Sequence, residues 1–139
     1  MSEENVEVVR GSIAAYNRRD FEAMRAVTHP DVELDWSASR GLNARVYQGR
    51  ERVFRFYRDF LGTFQEVVIE PERFIESGDS VVVPNSAQLR GRDGIETVAR
   101  SAFVFEVRGG LIARIRLYQE TREALEAVGL RADGMDVPG

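Results

Sequence analysis

The chain has 139 residues, of which 43% are hydrophobic and 30% charged, and its formal net charge is −4. This composition predicts a single folded domain over residues 1–130, and it argues against nucleic acid or an anionic membrane as a partner. The absence of cysteine excludes disulfides and thiol chemistry. The amino terminus has no signal-peptide pattern, and no apolar run reaches the roughly 20 residues of a membrane span, so we expect a cytoplasmic protein.

The first half of the sequence predicts mainly helices. Apolar residues three and four positions apart indicate a first helix that ends near Asn17. Asp20 can cap a short second helix, which stops before the pair His29-Pro30. A third helix over residues 50–61 has a wide apolar face. These helices supply apolar surface that another layer must cover.

One strand is expected between the second and third helices. Val32, Leu34 and Trp36 alternate with acidic residues, which is the pattern of a half-buried strand. Residues 37–48 have little periodicity and are predicted to form a loop that can act as a lid over a pocket.

Strands dominate the second half. Four long strands are predicted over residues 65–76, 80–90, 95–107 and 111–120. Tight glycine-containing turns connect them, so they should pair antiparallel. Pro71 and Pro84 fall inside strand-like runs and are expected at an edge or a bulge. A short helix over residues 122–128 follows, and residues 131–139 are expected to form a mobile tail.

This order of elements predicts an α+β fold. A cone-shaped, curved, mostly antiparallel sheet should wrap around the N-terminal helices. The mouth of such a cone is apolar, which favours a pocket for a small molecule.

Five motifs extend this prediction. In chain order they are AYNRRDFEAM (15–24), HPDVE (29–33), YQGRE (47–51), IRLY (115–118) and EALEAVGL (123–130). With these motifs, residues 3–130 resemble the SnoaL-like branch of the NTF2-like superfamily, which also contains ketosteroid isomerases. The resemblance implies a cystatin-like α+β barrel. It leaves the activity open, because the superfamily includes isomerases, cyclases, dehydratases, epoxide hydrolases and proteins that only bind or scaffold.

The resemblance also implies where isomerase groups would lie. The oxyanion tyrosine would fall at Ser12, the base at Trp36 and the protonated aspartate at Ser101, and each position lacks the necessary group. Steroid-type isomerisation is therefore not expected. Asp35 cannot replace the base, because strand alternation directs it away from the face of Leu34 and Trp36.

Two related chemistries are disfavoured in the same way. The resembling cyclases rely on histidine with aspartate, but His29 is expected on the surface at the end of the second helix. The resembling epoxide hydrolases use an Asp–Arg–Asp set. The nearest arginine, Arg100, alternates with Ser101 and is expected to face outward.

A mostly neutral pocket remains. We expect it to be lined by Tyr16, Trp36, Tyr57, Asn85, Ser101, Phe103 and Gln119. No cofactor is expected. No metal is expected either, because one histidine and no cysteine leave only oxygen ligands without a calcium-loop spacing.

The outer face of the sheet suggests self-association. Val98, Ala102 and Val104 alternate with the inward set, and Arg114, Arg116 and Tyr118 share the neighbouring strand. Mixed apolar, arginine and tyrosine surfaces are typical of interfaces, so a homodimer through this face is expected.

Three functions remain open. The first is a binding protein for a small, mostly hydrophobic molecule, with no recognisable catalytic set. The second is an isomerase, cyclase or hydrolase that works through tyrosine or amide groups. The third is an interaction module that uses the sheet face.

Overall fold

The structure, a computed structural model, describes residues 2–41 and 43–131. Its elements are α1 (Ser2–Asn17), α2 (Phe21–Ala26), β1 (Thr28–Asp35), β2 (Val46–Gln48), α3 (Arg50–Thr63), β3 (Phe64–Pro71), β4 (Ile75–Ser77), β5 (Ser80–Gly91), β6 (Glu96–Arg108), β7 (Leu111–Tyr118) and α4 (Thr121–Ala127). Of the expected mobile tail, residues 132–139 lie outside the described residues. No helix in the described part of the chain is long and apolar enough to cross a membrane.

The strands form one curled, unclosed sheet in the order β2-β1-β7-β6-β5-β3, with β4 also paired to β5. Every pairing is antiparallel except that of β1 with β7. The parallel pair joins the first long strand to the last one, which brings the two halves of the chain together. The predicted α+β architecture, with a curved sheet around the N-terminal helices, is confirmed.

The main core lies between the concave face of the sheet and helices α1 and α3. Its side chains come from the apolar stripes of the helices and from alternate strand positions, as the periods of 3.6 and 2 require. Fully buried members include Val9, Val32, Val53, Val81 and Val83. The helices thus fill the closed end of the curled sheet.

The strand predicted over residues 65–76 is wrong in one respect, since it is two strands. β3 ends at Pro71, β4 begins at Ile75, and both pair with the same side of β5. Pro84 of β5 lies opposite the gap between them, where its carbonyl accepts a hydrogen bond from the Glu72 N–H at 2.8 Å. The ring nitrogen of Pro84 faces this gap too, so no ladder hydrogen bond is lost.

The predicted loop over residues 37–48 contains a short strand. Val46–Gln48 forms β2, which pairs with Glu33–Asp35 of β1. The Trp36 N–H donates to the Arg45 carbonyl at 2.9 Å and extends this pairing by one step. This hydrogen bond therefore joins the two ends of the loop at Trp36 and Arg45.

The outer face of the sheet is not the exposed apolar surface that the sequence predicts. Ala102 and Val104 are completely buried, because Ala124 and Leu125 of α4 pack over them in a second apolar cluster. Of the three expected outer apolar residues, only Val98 is exposed, at 65%. The chain covers much of this face with its own C-terminal helix.

Candidate functional site

The concave side of the sheet borders two adjoining chambers. The outer chamber, of about 480 Å³, opens at the mouth of the cone, and the inner chamber, of about 50 Å³, lies deeper. Both are lined by Tyr16, Trp36, Phe60, Ile69 and Phe103. Because these five residues border both spaces, the two chambers lie next to each other.

Aromatic rings build the wall of this cavity. Trp36 follows β1 directly and stacks on Phe103 of β6, with ring centroids 6.0 Å apart and planes at 24°. It also contacts Phe56 and Phe60 of α3 at centroid distances of 5.5 and 6.2 Å. These arrangements are the offset and edge-to-face geometries that aromatic pairs favour. Contacts among its own rings therefore hold this wall together.

Three hydroxyl groups interrupt the apolar lining of the inner chamber, those of Ser12, Tyr16 and Tyr57. The two tyrosine rings meet edge to face with their centroids 5.7 Å apart. Of the described tyrosine hydroxyls, that of Tyr47 donates to the Asn43 carbonyl at 3.0 Å. Those of Tyr16 and Tyr57 have no hydrogen-bond partner in the described part of the protein.

Burial decides the protonation of these two phenols. Desolvation raises the pKa of Tyr16 well above its usual range, against a smaller opposing effect of Arg19. Desolvation likewise raises the pKa of Tyr57, and Tyr16 adds to that rise. Both hydroxyls therefore stay protonated at neutral pH and can donate a hydrogen bond, but they cannot serve as bases there.

The loop after Trp36 borders the mouth of the outer chamber with Ser39, Arg40 and Gly41. Gln119 holds this loop in place, because its Nε2 donates to the Ala38 carbonyl at 2.7 Å. The Ser39 N–H donates back to the Trp36 carbonyl at 3.0 Å. The segment forms a fixed rim in this structure.

Six of the seven residues predicted to line a pocket do line this cavity. Tyr16, Trp36 and Phe103 contact both chambers, Tyr57 the inner one, and Ser101 and Gln119 the outer one. Asn85 contacts neither. It is buried, its Nδ2 donates to the Val83 carbonyl at 3.0 Å, and its Oδ1 accepts from the Ser101 hydroxyl at 3.5 Å. The hydrogen-bond partners of the Asn85 side chain, which the sequence analysis left open, are therefore protein groups.

Arg100 has the same strand parity as Ala102 and Val104 of the outer face, as alternation predicts, and it nevertheless borders the cavity. It contributes to the outer chamber together with Val98, Ala99 and Ser101. The reason is that β6 pairs with β5 from Glu96 onward, whereas its pairing with β7 begins only at Ala102. Residues 96–101 therefore have one unpaired edge, and neighbouring residues of both parities border the outer chamber there.

The other charged candidates lie outside the cavity. Asp35 faces away from Leu34, and its Oδ1 accepts hydrogen bonds from the Ser37 N–H at 3.0 Å and the Ser37 hydroxyl at 2.5 Å. His29 belongs to β1 rather than to the end of α2, and its Nδ1 accepts from the Asp31 N–H at 3.0 Å. Within the described residues, no Asp, Glu or His lines either chamber.

No group of three or more His, Asp or Glu side chains suited to a metal ion occurs among the described residues.

The sequence analysis did not identify several of the residues that line the cavity, notably Phe56, Phe60 and Ile69. Their apolar periodicity was visible, but the same periodicity marks ordinary core residues. Nothing in the pattern distinguishes a side chain that borders a cavity from one that fills the core.

Solved structures place this architecture in a known class. An NTF2-like protein of unknown function from Burkholderia pseudomallei is 25% identical, with coverage of 92% of this chain and 98% of its own, and a TM-score of 0.76. TerC, co-crystallised with polyporic acid, is 23% identical, with coverage of 90% and 97% and a TM-score of 0.75. RV0760c from Mycobacterium tuberculosis, in complex with estradiol-17beta-hemisuccinate, is 18% identical, with coverage of 86% and 95% and a TM-score of 0.75.

The fold and cavity thus define an NTF2-like protein. Residues 9–115 match the SnoaL-like domain, and the chain belongs to this family. The chain matches no curated protein sequence. The expected resemblance to the SnoaL-like branch is confirmed.

Proposed function

We propose that the two adjoining chambers together bind a small, mostly apolar molecule that carries at least one oxygen atom at its inner end. The observation that carries this proposal is a pair of adjoining, largely apolar chambers, with two protonated tyrosine hydroxyls that have no protein partner among the described residues in the inner one. Known ligand pockets have this composition, with a largely apolar lining and a few polar groups that fix orientation. Two structurally similar proteins, TerC and RV0760c, have been crystallised with small organic molecules.

The tyrosines can select for an oxygen atom. An unpartnered hydroxyl in an apolar space is costly, and a ligand carbonyl or hydroxyl that accepts its hydrogen bond relieves this cost. The inner chamber, at about 50 Å³, exceeds the roughly 10–15 Å³ that a single water requires. A ring substituent or a short polar group of a ligand therefore fits there.

Binding explains the described lining better than turnover does. A reaction that begins with proton abstraction needs a base within hydrogen-bond reach of the substrate. The described lining residues offer hydroxyls, an amide and two arginines, and the raised pKa values of Tyr16 and Tyr57 keep those phenols protonated. Tyrosine donors could still stabilise a developing oxyanion, so an isomerase, cyclase or hydrolase is the second hypothesis.

A homodimer through the outer sheet face remains a separate prediction. The apolar area available for such an interface is smaller than the sequence predicts, because α4 covers Ala102 and Val104. Arg114, Arg116 and Tyr118 still lie on this face, with the Arg116 guanidinium 5.6 Å from the Tyr118 ring centroid. Light scattering at micromolar concentration should give twice the monomer mass, and a monomeric mass would contradict the prediction.

Trp36 provides a direct test of binding, because it is the only tryptophan and it borders both chambers. We expect 4-cyclohexylbutan-1-ol, which does not absorb where tryptophan does, to displace water and shift the Trp36 emission to shorter wavelength. Calorimetry should give the same dissociation constant. An emission unchanged up to the solubility limit of the alcohol would contradict the proposal.

A filling substitution makes the test specific to the cavity. Ala87 of β5 lines the outer chamber, so Ala87→Phe should occupy space that a ligand needs and weaken binding of the alcohol at least tenfold. Ala127→Phe, at an exposed position of α4, is the matched control and should leave binding unchanged. Equal affinities of the two variants would locate the alcohol elsewhere.

A second pair of variants tests the tyrosine donors. Tyr57→Phe removes one hydroxyl without changing the ring. It should weaken binding of the alcohol about fivefold, which corresponds to the loss of one hydrogen bond that contributes roughly 1 kcal/mol. Tyr118→Phe, on the outer sheet face, should have no effect. If Tyr57→Phe binds as tightly as the wild type, the inner chamber does not bind the ligand oxygen.

A further inference from the structure

We propose that the ligand of this cavity is an amphipathic acid, whose anionic group binds at the mouth to Arg40 and Arg100 while its apolar body enters the chambers. The inference rests on the proposed function and adds the chemical class of the ligand. A carboxylate is the simplest group with this chemistry. The two arginines were not among the residues that the sequence pointed to as ligand contacts.

The charge at the mouth carries the first part of the argument. Arg40 and Arg100 line the outer chamber, and no acidic residue does so within the described part of the chain. Neither arginine forms an ion pair with a described residue. The chain as a whole has a net charge of −4, so this positive mouth differs in sign from the overall charge. A field of this sign attracts anions to the opening.

The placement of the two arginines carries the second part. Arg40 belongs to the rim segment that Gln119 fixes through the Ala38 carbonyl, and the Gly41 N–H next to it donates to the Ser39 hydroxyl at 3.2 Å. Arg100 lies on β6, where its backbone is paired with Ser86 of β5. Both side chains thus start from ordered backbone that borders one opening, and a guanidinium can bind a carboxylate through two parallel hydrogen bonds.

Which end of the ligand carries the charge is the third part of the argument. A carboxylate inside the apolar chambers would lose its hydration without a charged partner, which is strongly unfavourable. At the mouth it keeps part of its water and meets two cations. The deep end offers neutral donors from Tyr16 and Tyr57. A ligand that satisfies both ends has an acidic group outside, an apolar body between, and a neutral oxygen inside.

The experiment compares two probes with the same carbon skeleton, 4-cyclohexylbutanoate and 4-cyclohexylbutan-1-ol, by Trp36 emission and calorimetry. We expect the acid to bind about twofold to fivefold more tightly than the alcohol at low salt, because two arginine contacts outweigh the contact of the alcohol with Tyr57, and we expect this advantage to shrink at high salt because the pairs are exposed. Arg40→Gln and Arg100→Gln should each weaken binding of the acid about threefold to fivefold, and each should weaken binding of the uncharged alcohol by a smaller factor.

Arg73→Gln serves as the matched control, since Arg73 is exposed and borders neither chamber. If the acid and the alcohol bind with equal affinity, or if Arg73→Gln weakens binding of the acid as much as Arg40→Gln does, the inference is wrong. In both cases binding of the alcohol still supports the proposed function. If neither probe binds, the proposed function fails, and the inference fails with it.

Discussion

Two phenols buried in an apolar cavity have a consequence that extends beyond binding. Tyr16 and Tyr57 keep their protons in the folded state at a pH where an exposed tyrosine, with a pKa of about 10, has lost its own. Above that pH the native state therefore binds more protons than the unfolded state. The free energy of unfolding must then decrease as the pH rises, because stability follows the difference in bound protons.

This linkage gives a testable pH dependence. The free energy of unfolding of the wild type should be constant with respect to these two groups below pH about 9 and should fall as the pH rises beyond about 10. The double variant Tyr16→Phe, Tyr57→Phe should show a smaller decrease over the same range, measured by urea denaturation. An identical slope in both proteins would show that the two phenols ionise normally in the folded state.

Asn17 is the polar residue that best links α1 to the sheet. Its Nδ2 donates to the Ile69 carbonyl at 2.8 Å, and its Oδ1 accepts from the Ile69 N–H at 2.8 Å. The side chain thus occupies both hydrogen-bonding groups of a β3 residue, and Ile69 itself lines both chambers. This contact fixes the C-terminal end of α1, and with it Tyr16, against the cavity wall.

Removal of this contact should therefore destabilise the protein. Asn17→Ala leaves the N–H and carbonyl of Ile69 without their partner, and we expect the free energy of unfolding to fall by about 2 kcal/mol. Asn5→Ala, on the same helix but without such a contact, should change it by less than about 0.5 kcal/mol. Urea denaturation measures both. Equal stabilities of the two variants would mean that the Asn17 contact is replaced by water at no cost.

At the scale of elements, α4 has a larger role than its seven residues suggest. Leu125 is completely buried over the outer face of the sheet, beside Val82, Ala102 and Val104. The Ser77 hydroxyl of β4 donates to the Val128 carbonyl at 2.9 Å and holds the end of the helix. Without α4, these apolar residues of β5 and β6 would face water.

Leu125→Ala measures this contribution. Removing the side chain leaves a cavity under α4, and the free energy of unfolding should fall by about 2–5 kcal/mol. Glu126→Ala, one position further along and exposed, should cost no more than about 0.5 kcal/mol. If Leu125→Ala is as stable as Glu126→Ala, the helix does not contribute to the stability of the sheet.

Periodicity predicts the long elements of this protein and misses what depends on distant pairing. The two long helices, α1 and α3, and the paired strands follow from apolar spacing and turn residues. β2 was missed because three residues are too short for any period, and its pairing with β1 is set by the chain on both sides. The break between β3 and β4 was not predicted, because it becomes visible only in the pairing of both strands with β5. Pro71 alone does not show whether a strand ends or continues.

The same distinction, between what periodicity predicts and what depends on distant pairing, holds for the residues of the candidate site. Tyr16, Trp36, Tyr57 and Phe103 could be predicted, because each lies on an apolar stripe that must face the interior. Arg100 could not, since its exposure to the mouth depends on where β7 stops pairing with β6. The burial of Ala102 and Val104 could not either, since a seven-residue helix gives no sign in the sequence of the surface it will cover.

For the whole molecule, polarity changes in one direction through the cone. Arginines border the mouth, aromatic rings form the wall, and protonated hydroxyls lie at the deep end. Such a gradient orients a ligand as well as holding it, because each part of the molecule meets its own environment only in one direction. The proposed function and the proposed ligand class follow from this single arrangement.

The most direct test is a crystal structure of the protein grown with 4-cyclohexylbutanoate at a concentration that saturates the Trp36 signal. We predict electron density for the cyclohexyl ring between Trp36, Phe60 and Phe103, with the carboxylate at Arg40 or Arg100. A cavity without ligand density under these conditions, or ligand bound only outside the two chambers, would contradict the account.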